Sequence, residues 1–271
     1  MYHFSGAWDT EAAGALARQW ATREGWVPLY RGGEVSRHTM YFSRTGRTYS
    51  YGNTCVQSQG WPLDIAALAE QATQLLRLPP EACPTACNLN LYEGGGQAVG
   101  WHQDDESLWG SGPTLIISMS FLEGGGARRF QLARDRCGRI GRRTVWLGSG
   151  DLLTMSGACQ QEFFHRAPPD NDAPGRRVNL TFRYEVMPAR LVEPSQSCDT
   201  HLVGGQNGTT NVPAALWTAP SAHPHRVILT GGAVDNIGAA RHPQPPNPVD
   251  PAAPPPSPAR RATRAVRLVQ S

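Results

Sequence analysis

Two stretches near the start of the chain carry apolar residues at helical spacing. Residues 9–24 read as a helix: Asp9 or Thr10 can cap it, Glu11 and Glu24 bracket it, and Leu16 and Trp20 fall at i and i+4. A second helix is expected from about Leu63 to Leu76, where Ile65, Leu68, Ala72, Leu75 and Leu76 form an apolar stripe behind Pro62. Pro79 and Pro80 end it. After that the period changes. Leu115–Ser120, Arg129–Leu132, Thr144–Leu147, Asp151–Met155 and Val178–Arg183 are short runs separated by Gly, Asp and Pro clusters, and they read as strands. Short strands at regular spacing predict a sandwich or barrel. The expected class is α+β, mainly β, with two supporting N-terminal helices.

Beyond about residue 190 this pattern dissolves. Of the 23 prolines, 14 follow Glu185, and the run PQPPNPVDPAAPPPSPARR reads as linker or disordered chain. The expected organisation is a folded domain over 1–190 and a Pro/Gly-rich, largely disordered tail over 191–271. The tail ends in a basic segment with Arg260, Arg261, Arg264 and Arg267, either incidental or a nucleic-acid tether or localisation signal.

Charge adds one constraint. The 25 basic residues are all arginine and the formal net charge is only +3. Residues 1–190 hold 19 Arg against 18 acids, so affinity for a polyanion must come from a local patch. The best candidate is the stretch from Arg128 to Arg143 with its seven arginines, read equally well as a solvated hairpin or a phosphate-binding one. The six cysteines, with no apolar secretory segment in MYHFSGAWDTE and no run long enough to cross a membrane, predict free thiols in a reducing compartment, nucleus or cytoplasm. Cys83 and Cys87 lack a second Cys/His pair at zinc spacing and read as ordinary thiols.

The candidate chemistry lies in WHQDDE, followed 63 positions later by the histidine of FFHRAP and then by RRVNLTFR. On a strand, His102 and Asp104 share a face. His165 would complete two histidines and one carboxylate, a set that holds Fe(II) on one side and leaves positions open for a co-substrate and dioxygen. Arg177 and Arg183 also share a strand face, and guanidinium forks grip carboxylates.

The ordered segments SRHTMYFSRTGRTYSYGN, NLYEGGG, WHQDDE, PTLIISMS, GDLLTMSG, FFHRAP and RRVNLTFR resemble the AlkB family of Fe(II)/2-oxoglutarate dioxygenases, nearest its eukaryotic-type DNA and RNA repair branch. They cover about residues 27 to 185. The resemblance implies a double-stranded β-helix (jelly-roll) core with a substrate lid over about 27–60. It implies iron ligation by His102, Asp104 and His165, and 2-oxoglutarate contacts from Asn90, Tyr92, Arg177 and Arg183, with dioxygen as oxidant. Tyr41, Tyr49, Asp105 and Glu106 would meet the substrate, and Tyr41 or Trp101 could stack on a flipped base. SMSFLEGGGARRF departs from the family by about three extra residues around Glu123–Gly126. Arg176 beside Arg177 leaves two candidates for the keto-acid arginine, of which the spacing to Arg183 and the family pattern favour Arg177.

The implied activity is oxidative demethylation of bases such as 1-methyladenine or 3-methylcytosine in DNA or RNA, by a monomer with no membrane association. A hydroxylase acting on protein or another non-nucleic-acid substrate is the alternative. A non-catalytic module is disfavoured by the intact set of ligands and arginines.

Overall fold

The computed structural model describes residues 1–52, 54–110, 114–172, 175–186 and 225–226; the expected tail lies outside these residues except for its last-named pair. The chain begins with β1 (Tyr2–Phe4), α1 (Thr10–Ala21), β2 (Val27–Arg31), β3 (Glu34–Ser43), the hairpin strands β4 (Tyr49–Tyr51) and β5 (Thr54–Val56), and α2 (Leu63–Leu75). It continues with β6 (Ala86–Tyr92), β7 (Val99–His102), β8 (Thr114–Leu122), β9 (Ala127–Ala133), β10 (Arg143–Gly148) and β11 (Asp151–Gly157). The short helix α3 (Cys159–Glu162) precedes β12 (Phe164–Ala167), β13 (Arg177–Arg183) and β14 (His225–Arg226).

Both expected helices form. Asp9 caps α1, its Oδ1 accepting the Ala12 amide at 3.0 Å. Pro62 takes the N-cap position of α2 with extended backbone. The helices bury Trp20, Leu16, Ile65 and Leu68 against one face of the large sheet.

That sheet runs β14-β1-β11-β8-β13-β6-β3-β2, and a smaller one runs β10-β9-β12-β7. All expected strands are present. The strands that sequence periodicity did not bring out are β1, β6, β12 and β14, mostly short or made of alternating Asn and Leu; β7, expected to carry both His102 and Asp104, ends at His102. β2 and β3 join the large sheet, β3 pairing with β6 from His38 to Ser43. The expected lid over 27–60 therefore divides: residues 27–43 are mostly core sheet, and only β4–β5 stands as a separate hairpin.

Register gives the large sheet two buried faces of opposite character. Met40, Leu89, Leu180, Met119 and Leu152 form one row across five strands toward the helices. The adjacent row, Thr39, Asn90, Asn179 and Ser120, and the next but one, Tyr41, Asn88, Thr181 and Ser118, face the small sheet. Between the sheets an apolar cluster of Ile116, Phe130, Leu132, Val145, Leu147, Leu153 and Met155 fills one part of the interior. The polar rows line the remainder.

The extra residues at Glu123–Gly126 make the β8–β9 turn, with three consecutive glycines at positive φ. Gly150 has a tighter requirement. Its φ is +84°, and a Cβ there would stand 2.3 Å from the Trp8 carbonyl oxygen. Gly157 has φ +66° with open space around it. We expect Gly150→Ala to cost about 2–3 kcal/mol and Gly157→Ala about 1 kcal/mol, measured by urea unfolding. Equal losses would show that the Trp8 contact yields.

Candidate active site

His102 ends β7 and His165 sits in β12, directly opposite it in the register of the small sheet. Their rings lie 4.2 Å apart between centroids. Asp104 follows β7 by two residues and is buried. Its Oδ1 is 3.6 Å from His102 Nε2 and 3.8 Å from His165 Nε2. The Nδ1–H of His102 faces the Gly100 carbonyl at 2.9 Å, which directs Nε2 toward the carboxylate. All candidate ligand atoms of the triad lie within 4.8 Å of one another, so one cation can reach all three.

Arg183 organises the carboxylate. Its Nη2 and Nε donate to Asp104 Oδ2 at 2.6 and 3.2 Å, which leaves Oδ1 for a metal. Burial would raise the Asp104 carboxyl, but Arg183 first, then His165 and His102, hold it well below the usual range. Burial would lower Arg183, but Asp104 keeps it above its ordinary value. Burial and then His102 push His165 down to about 3, so its imidazole is neutral and its nitrogen lone pair free for a metal.

The polar rows form the rest of the cleft. Arg177 is buried and its Nε donates to Ser120 Oγ at 2.8 Å. Arg176 points the other way, to Glu123 Oε2 at 2.6 Å on the surface turn. Of the two candidate arginines, Arg177 is therefore the one in the cleft. Tyr92 lies beneath Arg177, whose guanidinium carbon is 5.4 Å from the ring centroid. Asn90 accepts a bond from Arg37 Nε at 2.8 Å, leaving its amide nitrogen as its remaining donor. The donor set suits a chelated ion and a dicarboxylate: three metal-ligand atoms on one side, and on the other a buried guanidinium with no carboxylate partner among the described residues.

The expected substrate residues divide. Tyr49 is on the cleft wall, its hydroxyl donating to Glu106 Oε1 at 2.9 Å. Glu106 also accepts the Trp109 indole N–H at 2.9 Å, so it stands behind Tyr49. Asp105 is exposed. Tyr41 is 0% exposed, with its hydroxyl on Glu185 Oε1 at 3.0 Å and its ring 5.3 Å from that of Tyr49. It backs the wall instead of forming its surface. Trp101 lies beneath the Arg166 guanidinium at 4.5 Å, on the strand face opposite His102. Trp109, which in sequence reads as surface or hairpin packing, is buried and packs against Tyr41, Tyr49 and Arg183.

Several cleft residues are not among those expected from the sequence, including Tyr51, Arg37, Asn88, Ser118, Asn179 and Thr181. Tyr51 stands edge-on to His102 at 6.0 Å, and Arg37 lies over Tyr51 at 5.3 Å. The period of two was the available signal, since Arg37 shares a face with Tyr41, and Tyr51 with Tyr49.

The Asp104–Arg183 pair is buried and Arg176–Glu123 is half-exposed, which gives a direct comparison. Arg183→Met should lower metal-free stability by about 3–5 kcal/mol by stranding a buried carboxylate, and Arg176→Met by under about 1 kcal/mol. Chemical unfolding of both variants measures the difference; comparable losses would mean that Asp104 is solvated.

The family model described as the 2OG-Fe(II) oxygenase superfamily matches residues 1–183. DNA oxidative demethylase ALKBH2 of Arabidopsis thaliana is 30% identical over 169 residues, 54% of this chain and 52% of that protein. The Mus musculus ALKBH2 is 34% identical over 162 residues, 58% of this chain and 64% of that one. Alpha-ketoglutarate-dependent dioxygenase alkB homolog 3 of Rattus norvegicus is 39% identical over 101 residues, 35% of this chain and 33% of that one. The chain thus spans a third to two thirds of the length of these relatives. With the matched segment running through every strand that carries a cleft residue, the chain belongs to the 2OG-Fe(II) oxygenase superfamily and, within it, to the AlkB family.

Proposed function

We propose that this chain is an Fe(II)- and 2-oxoglutarate-dependent dioxygenase that removes methyl groups from nucleic-acid bases. The observation that carries the reading is the convergence of His102, Asp104, His165 and Arg177 in one cleft whose outer wall is Tyr49 and Tyr51. The names of the relatives, a DNA oxidative demethylase among them, support the substrate class. When bound, iron with 2-oxoglutarate and dioxygen would supply the oxidation that turns an N-methyl group into an N-hydroxymethyl group, lost as formaldehyde; one oxygen atom of dioxygen would go to the methyl carbon and the other to succinate, with carbon dioxide released.

The protein's own residues have separable tasks. His102, Asp104 and His165 hold the metal, and Arg183 keeps Asp104 ionised and offers only one of its oxygens. Arg177, with Tyr92 and Asn90, receives the far carboxylate of 2-oxoglutarate. Tyr49 and Tyr51 flank a base turned out of its stack or taken from a single strand. Glu106, directly behind Tyr49, forms no ion pair among the described residues, and its charge favours a cationic base such as 1-methyladenine or 3-methylcytosine. The β4–β5 hairpin carries both tyrosines and serves as the lid. All of these groups come from one chain, which suits a monomer, and the five described cysteines are unpaired, which suits the nucleus or cytoplasm. No described helix is long and apolar enough to cross a membrane.

The phosphate contacts are assigned to the β9–β10 hairpin. Arg134, Arg136, Arg139 and Arg142 are exposed there, and Asp135 braces the turn by accepting the Arg139 and Ile140 amides at 2.8 and 2.7 Å.

The protein loaded anaerobically with Fe(II) should, once oxygen and 2-oxoglutarate are supplied, remove one methyl group from an oligonucleotide carrying 1-methyladenine or 3-methylcytosine. Mass spectrometry reads the loss, and His102→Ala should abolish it. Succinate formation with no change in any DNA or RNA oligonucleotide would move the substrate to protein or another molecule. The triple change Arg136→Ala, Arg139→Ala and Arg142→Ala should reduce the slope of log affinity against log salt for single strands by about 2. An unchanged slope would remove the hairpin from the interface.

A further inference from the structure

One end of the cleft holds more positive charge than its own residues balance. Arg177 is 4% exposed and Arg128 is 2% exposed, and both guanidinium carbons lie against the Tyr92 ring, at 5.4 and 4.5 Å from its centroid. Arg177 donates to a serine hydroxyl, and Arg128 donates to the carbonyls of Gly94, Gly95 and Gln97, while its Nε has no partner. Asp170, the acid that acts on Arg128, is bonded to Arg129 Nε at 3.2 Å. Among the described residues neither Arg128 nor Arg177 forms an ion pair. Burial lowers both guanidiniums, and Arg128 helps to push Arg177 down to about 10. Two buried cations sharing one ring are unfavourable until an anion arrives.

Arg128 is not on the cleft wall. It stands behind Tyr92, so it acts through that ring and through its field. It also ties the Gly94–Gln97 turn to β9, and that turn follows directly from β6, which carries Asn90 and Tyr92. We propose that Arg128 is a specificity-determining positioning residue for the co-substrate: its charge makes the Arg177 end of the cleft select a 2-oxo acid that ends in a second carboxylate over one that ends in an alkyl group. The assignment rests on the 2-oxoglutarate reading given above.

Selection by charge and simple bracing of the turn differ in a measurable way. Calorimetry on the Mn(II)-loaded protein would give the affinity for 2-oxoglutarate and for 2-oxobutyrate, which has the same chelating end and no far carboxylate. Arg128→Gln, which keeps a donor for the carbonyls but not the charge, should weaken 2-oxoglutarate about tenfold and 2-oxobutyrate less than about twofold. Arg128→Lys, which keeps the charge, should hold the ratio of the two affinities within about threefold of the parent value. A parallel loss for both acids in the Gln variant, or a collapsed ratio in the Lys variant, would overturn the proposal; the Lys variant decides it should the Gln variant not fold. A parent protein that binds neither acid would bring down the co-substrate reading itself, whereas a parent that prefers 2-oxoglutarate with an unchanged ratio in Arg128→Gln would defeat only the role of Arg128.

Discussion

Strands β3, β6, β8 and β13 bury hydroxyl, amide and guanidinium side chains on the face opposite the helices, where each unpartnered group would cost about 1–3 kcal/mol. The chain meets this by pairing the groups with one another. Thr39 donates to Asn88, Arg37 to Asn90, Asn179 to Ser118 and Arg177 to Ser120, at 2.8 to 2.9 Å. These bonds mostly join neighbouring strands, so they depend on the register. A one-residue slip would send Met40, Leu89, Leu180 and Met119 into the polar cleft and the polar rows against α1 and α2. Two incompatible faces thus hold the sheet in one alignment, and that alignment sets the cleft.

Within this frame the Asp104–Arg183 pair links fold to chemistry. A buried carboxylate with no cation would take up a proton and lose its value as a metal ligand. Arg183 prevents that by occupying one oxygen, while the histidines converge on the other. Just beyond Arg183 in the chain, Glu185 has a related role. Its carboxylate accepts the hydroxyls of Tyr41, Ser43 and Thr45, which ties the exit of β13 to the end of β3. Tyr41 is thereby fixed behind Tyr49, and Trp109 closes the same aromatic cluster. The wall facing the metal site is already assembled by these contacts.

What the sequence made legible was local or carried by motif. Asp9 and Pro62 mark the helix starts, and Leu115–Ser120 and Val178–Arg183 announce strands by β-branched and aromatic content. His102, Asp104 and His165 stand out as a ligand set because the chemistry demands those residue types. Properties that depend on partners far along the chain were not legible. β1 pairs with β11 across about 150 residues, and nothing in YHF announces it. Tyr41 and Tyr49 look alike in sequence, yet one is buried on Glu185 and the other faces the cleft. The choice between Arg176 and Arg177, by contrast, follows from strand alternation, since Arg177 shares a face with Arg183; one turns toward Glu123 and the other inward.

The absence of lysine takes on meaning at this interior. Four arginines, Arg37, Arg128, Arg177 and Arg183, are buried in or behind the cleft, and among the described residues only Arg183 has a carboxylate partner. A lysine so placed would shed its proton, because burial in a region without counter-ions lowers an ammonium readily. A guanidinium starts from a higher pKa and spreads its charge over several donors, so it remains a cation on hydroxyl and carbonyl oxygens alone. Arg177, even pushed down to about 10, is still charged at neutral pH. The cleft can therefore store positive charge that neutral groups hold in place and that, on the function proposed above, an incoming dicarboxylate would complete. Arginine makes that arrangement stable before the ligand arrives, which is the condition for a binding site that is formed in advance.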